Sequence, residues 1–267
     1  MLSWRELLVV CLVVVSLTPV EPRRALLVID VQYDFLPGGA LAVAGGDQVL
    51  PVIDWVRIKR QWDMVVFSQD WHPTSHVSFA SSHGDLPVNS VMELSYTSAG
   101  DLCAGPNIMP SYSVPCVPSD VSMVLNQTLW PVHCLQNSPG AMLSKALLRL
   151  PSDPVVQKGY HVQIDSYSAF WDNGHMFPTA LQGILQQANI TEIFVAGLAL
   201  DFCVFYTSMD GNALGYRTYV IQDASRGISP QGVDQALSQM RASGITIVNA
   251  TQIPHSDDDS NAAVKLA

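Results

Sequence analysis

Residues 25–30 read Ala-Leu-Leu-Val-Ile-Asp, an unbroken apolar run that ends in a carboxylate. A run of this length, rich in branched side chains, has no solvated face and fits a strand buried on both sides. Segments of the same kind recur at 64–68, 154–158, 192–199, 218–223 and 245–249. Between them, apolar residues fall at helical spacing over 47–60, 140–150, 175–189, 203–214 and 230–243. Strands alternating with helices of this length need crossover connections. The expected fold is therefore three-layered α/β, a six-stranded, mainly parallel sheet with helices on both faces.

Three segments break this rhythm. Residues 84–129 are long, rich in Ser, Pro and Gly, and carry Cys103 and Cys116. A stretch of that length inside a compact domain reads as an insertion or a lid. Residues 255–267 are polar and acidic and read as a disordered tail. At the other end, residues 7–17 are Leu-Leu-Val-Val-Cys-Leu-Val-Val-Val-Ser-Leu. That run is short for a membrane span and has the length of a signal-peptide core. Residues 1–20 are thus expected to be a signal peptide, with an uncleaved anchor or an N-terminal element packed on the fold as alternatives. The main domain covers 24–254.

Three acceptor sequons, at Asn126, Asn189 and Asn249, agree with entry into the secretory pathway and an extracellular or membrane-anchored location. In an oxidising compartment Cys103 and Cys116 could pair, which leaves Cys134 and Cys203 free for burial or chemistry. The charge balance excludes one class of partner. With 13 Lys and Arg against 23 Asp and Glu, a net charge of −10 and no basic cluster, the chain is not built to track phosphates, so no nucleic acid is expected. A small metabolite would have to be held by a local feature.

In parallel α/β sheets, ligands bind beyond the carboxyl ends of the strands. The reactive residues gather there. Asp30 ends the first strand, Asp70 and His72 follow the second, Lys158 ends the third, and Cys203 opens the helix after the fourth. A thiol at a helix N-terminus meets unpaired N–H groups and the positive end of the dipole, which favour thiolate; a buried inert cysteine is the alternative for Cys203 alone. Asp30 and Lys158 each end an apolar strand, and each can satisfy the other's charge. With the thiol they supply a base, a cation and a nucleophile. Asp70, His72 and His76 put a carboxylate and two imidazoles within seven residues, and His133 could close the site from the far side of the insertion. Such ligands suit zinc, iron or manganese. His83 reads as a supporting or solvent-facing histidine.

Five motifs carry a resemblance: Asp-Val-Gln-x-Asp-Phe-x-Pro-Gly-Gly-Ala-Leu over 30–41, Asp-Trp-His-Pro-x-x-His-x-Ser-Phe-Ala over 70–80, Trp-Pro-x-His-Cys over 130–134, Lys-Gly at 158–159, and Gly-x-Ala-x-Asp-x-Cys-Val over 197–204. In this order they resemble the nicotinamidases of the isochorismatase-like cysteine hydrolases, over residues 25 to 250. The resemblance implies a catalytic triad of Asp30, Lys158 and Cys203. It also implies an oxyanion hole from the backbone N–H groups of Ala199 and Cys203, with a cis peptide before Ala199. One divalent metal, zinc first with iron or manganese as alternatives, would be held by Asp70, His72 and His133, with His76 as ligand or hydrogen-bonding partner. Phe35, Trp130 and Tyr167 would wall a pyridine ring. The implied reaction is hydrolysis of nicotinamide to nicotinate and ammonia through a cysteine thioester, feeding NAD salvage. Family members often assemble, so a homo-oligomer is an open alternative to a monomer. Rival readings are a related amidase acting on another small amide and an idle binding protein of the same fold.

Overall fold

A computed structural model of the chain describes residues 21–84, 86–105 and 111–253. The apolar leader and the acidic tail, with the expectations attached to them, lie outside these residues. Among the described residues, no helix is long and apolar enough to cross a membrane.

The central sheet has the expected six strands: β1 (Arg24–Ile29), β2 (Met64–Asp70), β5 (Val155–Lys158), β6 (Glu192–Leu198), β7 (Arg217–Arg226) and β8 (Thr246–Val248). Their order is β5-β2-β1-β6-β7-β8, and every pairing is parallel. The chain winds outward from β1 through β2 to β5 on one side, and from β6 through β7 to β8 on the other. The winding reverses between β1 and β6, and in open parallel sheets that reversal leaves a crevice beyond the strand ends. Gly197 permits close approach there. Its φ is +125°, and a side chain would stand 2.1 Å from the Ile29 carbonyl oxygen.

Alternate residues of β1 serve the two faces. Leu26 and Val28 pack with Val49, Ile53 and Val56 of α1 (Val49–Lys59). Ala25, Leu27 and Ile29 pack in the opposite layer with α2 (Leu181–Gln187) and α4 (Pro230–Ala242), where Leu185, Leu237 and Met240 are buried. α3 (Phe205–Ala213) also lies against β6 and β7. Ser229 caps α4 by accepting from Gly232 N–H at 3.0 Å, with Pro230 at the first helical position.

Two expected helices are corrected. Residues 140–150 form no helix. Their backbone bonds across to the 31–34 segment instead, through Tyr33 N–H to Met142 O, Asp34 N–H to Gly140 O and Ser144 N–H to Val31 O. The helix expected over 175–189 begins only at Leu181, because Pro178 precedes it and the Asp172 carboxylate takes the N–H groups of Gly174, Met176 and Phe177. The insertion carries strands of its own. It builds an antiparallel arm from β3 (Val91–Thr97) and β4 (Val121–Thr128). A Cys103–Cys116 disulfide closes the tip, and Leu94, Tyr96 and Leu102 form a small core with Val77 and Ile164.

Candidate active site

Asp30 leaves β1 with φ +48°, a left-handed conformation that Asp tolerates better than branched residues. Its carboxylate is fully buried. Oδ1 accepts from Ser68 Oγ at 2.6 Å, and Oδ2 lies 2.9 Å from Lys158 Nζ. Lys158, also fully buried, donates to the Ser166 carbonyl at 2.8 Å and to Asp70 Oδ1 at 2.5 Å, and stands 3.3 Å from Cys203 Sγ. Acceptor atoms of Asp30, Asp70 and Cys203 lie within 4.8 Å of one another. The three residues expected to act together are together, and Asp70 joins them.

The charges follow from this geometry. Burial pushes the Asp30 carboxyl up to about 6, against the pull of Lys158. Burial acts the same way on Asp70, but Lys158 and His72 outweigh it and hold the carboxyl below its usual range. Burial would strip the Lys158 proton, yet Asp30 and Asp70 overrule it and keep the ammonium charged. Burial raises the Cys203 thiol well above its ordinary value despite Lys158. The thiolate favoured by a helix terminus is therefore not the resting form. Cys203 does not open a regular helix either. It sits in a π-helical turn, Leu200–Val204, before α3 begins at Phe205. The resting site holds a thiol beside a carboxylate that can take its proton.

The histidines form the second half of the site. Ligand atoms of Asp70, His72 and His133 lie within 4.8 Å of one another, with Asp70 Oδ2 3.5 Å from His72 Nε2 and 3.9 Å from His133 Nε2. Each ring is anchored by its other nitrogen, His72 Nδ1 on the Gly159 carbonyl and His133 Nδ1 on the Pro131 carbonyl, both at 2.8 Å. Donation through Nδ1 leaves the Nε2 lone pairs turned toward Asp70, the usual preparation of a metal ligand. Burial lowers His133 to about 4, so its ring is neutral. This donor set fits one divalent cation. Asp34 accepts from Cys134 N–H at 2.6 Å, and His72 N–H donates to the Cys134 carbonyl at 3.0 Å, so the loops bearing His133 and His72 are tied. Gln32 fixes the end of β2 by bonding both the N–H and the carbonyl of Asp70.

His76 stands apart from that trio. Its ring stacks on His72 at 4.1 Å, its Nδ1 contacts Ser78 Oγ at 2.8 Å, and its buried Nε2 has no hydrogen-bond partner. With His72 and Asp165 it makes a second compact group, Asp165 Oδ1 being 4.0 Å away. His83 is buried rather than solvent-facing and contacts the Val77 carbonyl at 2.6 Å.

Between the two halves lies a small cavity lined by Asp70, His72, His133 and Cys203, with Phe35, Trp130 and Tyr167 as aromatic walls. Ala199, which follows a cis peptide, also lines it. Four lining residues were not foreseen: Leu41, Phe202, Asp165 and Ile228. Phe202 meets Trp130 edge-on at 4.9 Å, and its place beside Cys203 on the turn was a usable signal. Asp201 brings Ile228 in by accepting its N–H at 2.8 Å. Asp165 lies in a loop without periodicity, where the sequence carries no comparable signal.

A thiol, a carboxylate and a lysine thus meet at the switch point of a parallel sheet, beside a His/Asp cluster whose donor atoms could hold a metal ion. The Isochorismatase domain profile matches residues 24–252. Nicotinamidase of Escherichia coli is 41% identical over 232 residues, 85% of this chain and 94% of that protein. The structure of the yeast nicotinamidase bound to the inhibitor nicotinaldehyde superposes with a TM-score of 0.73 at 29% identity, covering 85% of this chain and 99% of that one. A pyrazinamidase of Pyrococcus horikoshii in complex with zinc gives a TM-score of 0.62 at 29% identity, with 85% and 99% covered. The chain belongs to the isochorismatase family. Within it, these full-length matches are nicotinamidases and pyrazinamidases, and the chain is an amidohydrolase of that group.

Proposed function

We propose that the protein hydrolyses nicotinamide to nicotinate and ammonia, with Cys203 as nucleophile. The observation that carries this reading is one cavity flanked by Cys203 on one side and the Asp70, His72 and His133 cluster on the other, with aromatic walls between them. A flat ring held between Phe35, Trp130 and Tyr167 would present its carboxamide to the thiol, and such orientation removes several kcal/mol of the barrier. A divalent metal bound by Asp70, His72 and His133, zinc first among the candidates, would supply a Lewis-acid anchor for the pyridine nitrogen.

The chain's own residues account for the proton traffic. Asp30 takes the Cys203 proton as Sγ bonds to the carboxamide carbon. Lys158 holds the Asp30 carboxylate and balances the developing charge. The carbonyl oxygen becomes an oxyanion facing the backbone N–H groups of Ala199 and Cys203. When the C–N bond breaks, Asp30 returns its proton to the nitrogen and ammonia leaves. Water then attacks the thioester while Asp30 accepts its proton. The C–S bond breaks, Cys203 regains a proton, and nicotinate is released to NAD salvage.

The test is nicotinamide hydrolysis by the purified protein with and without a chelator. Turnover that stops on chelation and returns with added metal supports the proposal. Turnover of a carbamoyl compound in preference to nicotinamide, or indifference to the chelator, would replace it with a metal-free amidase; no turnover of either would favour a binding protein.

A further inference from the structure

The insertion reaches the cavity through one side chain. Gln127 lies near the end of β4, where Asn126 faces solvent and Gln127, on the opposite face, is 2% exposed. Its Nε2 donates to the Thr128 carbonyl at 2.8 Å and to Asp165 Oδ2 at 3.0 Å, and it also lies 3.2 Å from the Tyr167 hydroxyl. Two firm acceptors fix which way the amide points, because its oxygen could satisfy neither. The Tyr167 hydroxyl accepts from Trp130 Nε1 as well, at 3.3 Å. Three cavity-lining residues, Asp165, Tyr167 and Trp130, are thus joined through a residue that is not itself in the cavity wall.

The arm that carries Gln127 is fastened on both sides of the pocket. Tyr112 Oη donates to the Ser75 carbonyl at 2.7 Å, on the loop that bears His72 and His76. Tyr96 Oη donates to the Gln163 carbonyl, and Leu102 N–H to Gln163 Oε1, both at 2.9 Å, on the loop that bears Asp165 and Tyr167. The Cys103–Cys116 disulfide holds the arm's tip. A decorative insertion would need no buried amide aimed at the pocket wall.

We propose that Gln127 is a positioning residue, through which the arm sets the wall that grips the ring of the substrate. The inference rests on the nicotinamide reading. Gln127 makes no bond to Asp30, Lys158 or Cys203, so its effect falls on binding and not on the chemical step. Removing a pre-set wall weakens ground state and transition state alike, which raises KM and leaves kcat.

The test is steady-state kinetics of the metal-loaded protein on nicotinamide for the wild type, Gln127→Met, Tyr167→Phe and the double variant. Met keeps the side-chain volume and removes the donors. Loss of one or two such bonds predicts a KM raised about tenfold with kcat within about threefold for Gln127→Met. The double variant should be little worse than either single one, since both act on one wall. Should Gln127→Met fail to fold, Gln127→Asn, which shortens the reach, should give the same KM rise. An unchanged KM, a fall in kcat alone, or fully additive effects would overturn the inference while leaving an active wild type to support the functional reading. A metal-loaded wild type that ignores nicotinamide would overturn both.

Discussion

Asp70 and Lys158 are register partners at the carboxyl ends of adjacent strands β2 and β5, and Lys158 Nζ donates to Asp70 Oδ1 at 2.5 Å. Asp70 turns its other oxygen to His72 and His133. One carboxylate therefore belongs both to the charge network around the thiol and to the metal cluster. Asp70→Asn should lower metal stoichiometry and, in addition, disturb Lys158, whereas His133→Ala should affect the metal alone. Added metal at high concentration should restore more activity to His133→Ala than to Asp70→Asn. Equal rescue would show that the Lys158 contact has no consequence.

Lys158 pairs with both Asp30 and Asp70, and among the ion pairs of the described residues it is the one cation that meets Asp30. Its removal leaves the buried Asp30 carboxylate without a cation, a loss on the order of 3 kcal/mol or more. Lys158→Met should abolish turnover and lower the thermal midpoint markedly. A melting curve close to that of the wild type would mean that the buried pair contributes nothing to the fold.

In the proposed mechanism Asp30 acts as a base, so its ionised form would be the active one. Burial raises its carboxyl to about 6. Below that value it carries a proton and cannot accept another from Cys203. The acid limb of kcat/KM should therefore fall tenfold per pH unit below about 6, as loss of a single base requires. A profile flat down to the ordinary range of an aspartate would contradict the assignment.

Gly159 has φ +63°, and a side chain there would stand 2.4 Å from His72 Cε1. The same residue's carbonyl holds His72 Nδ1. Gly159→Ala should displace the ring and weaken metal retention by about tenfold or more, the usual cost of disturbing a ligand's support. Metal content after dialysis against a weak chelator reads this directly, and wild-type retention would count against it.

The six strands were legible because parallel, doubly covered strands are continuous apolar runs, and ALLVID is one. Asp30, Lys158 and Cys203 were legible as a set, because two opposite charges that can satisfy each other and a thiol all fall at strand ends of one sheet. What the sequence hid depends on other parts of the chain. The segment at 140–150 has helical spacing but spends its backbone bonds on residues 31–34. The Lys158–Asp70 bond depends on which strands are neighbours. Asp165 and Gln127 meet across 38 positions of sequence, through an arm whose strands are too polar to register as core. The thiol's protonation state depends on total burial, which a local reading of a helix end misses.

The most direct measurement is the release of nicotinate and ammonia from nicotinamide by the metal-loaded protein, beside a metal-loaded Cys203→Ala variant of intact fold. The wild type should release the two products in equal amounts, and Cys203→Ala should lose at least about a thousandfold in rate, as expected when a nucleophile is removed. Nicotinamide left intact by the wild type, or hydrolysed by Cys203→Ala at a comparable rate, would contradict the role of Cys203 at this site.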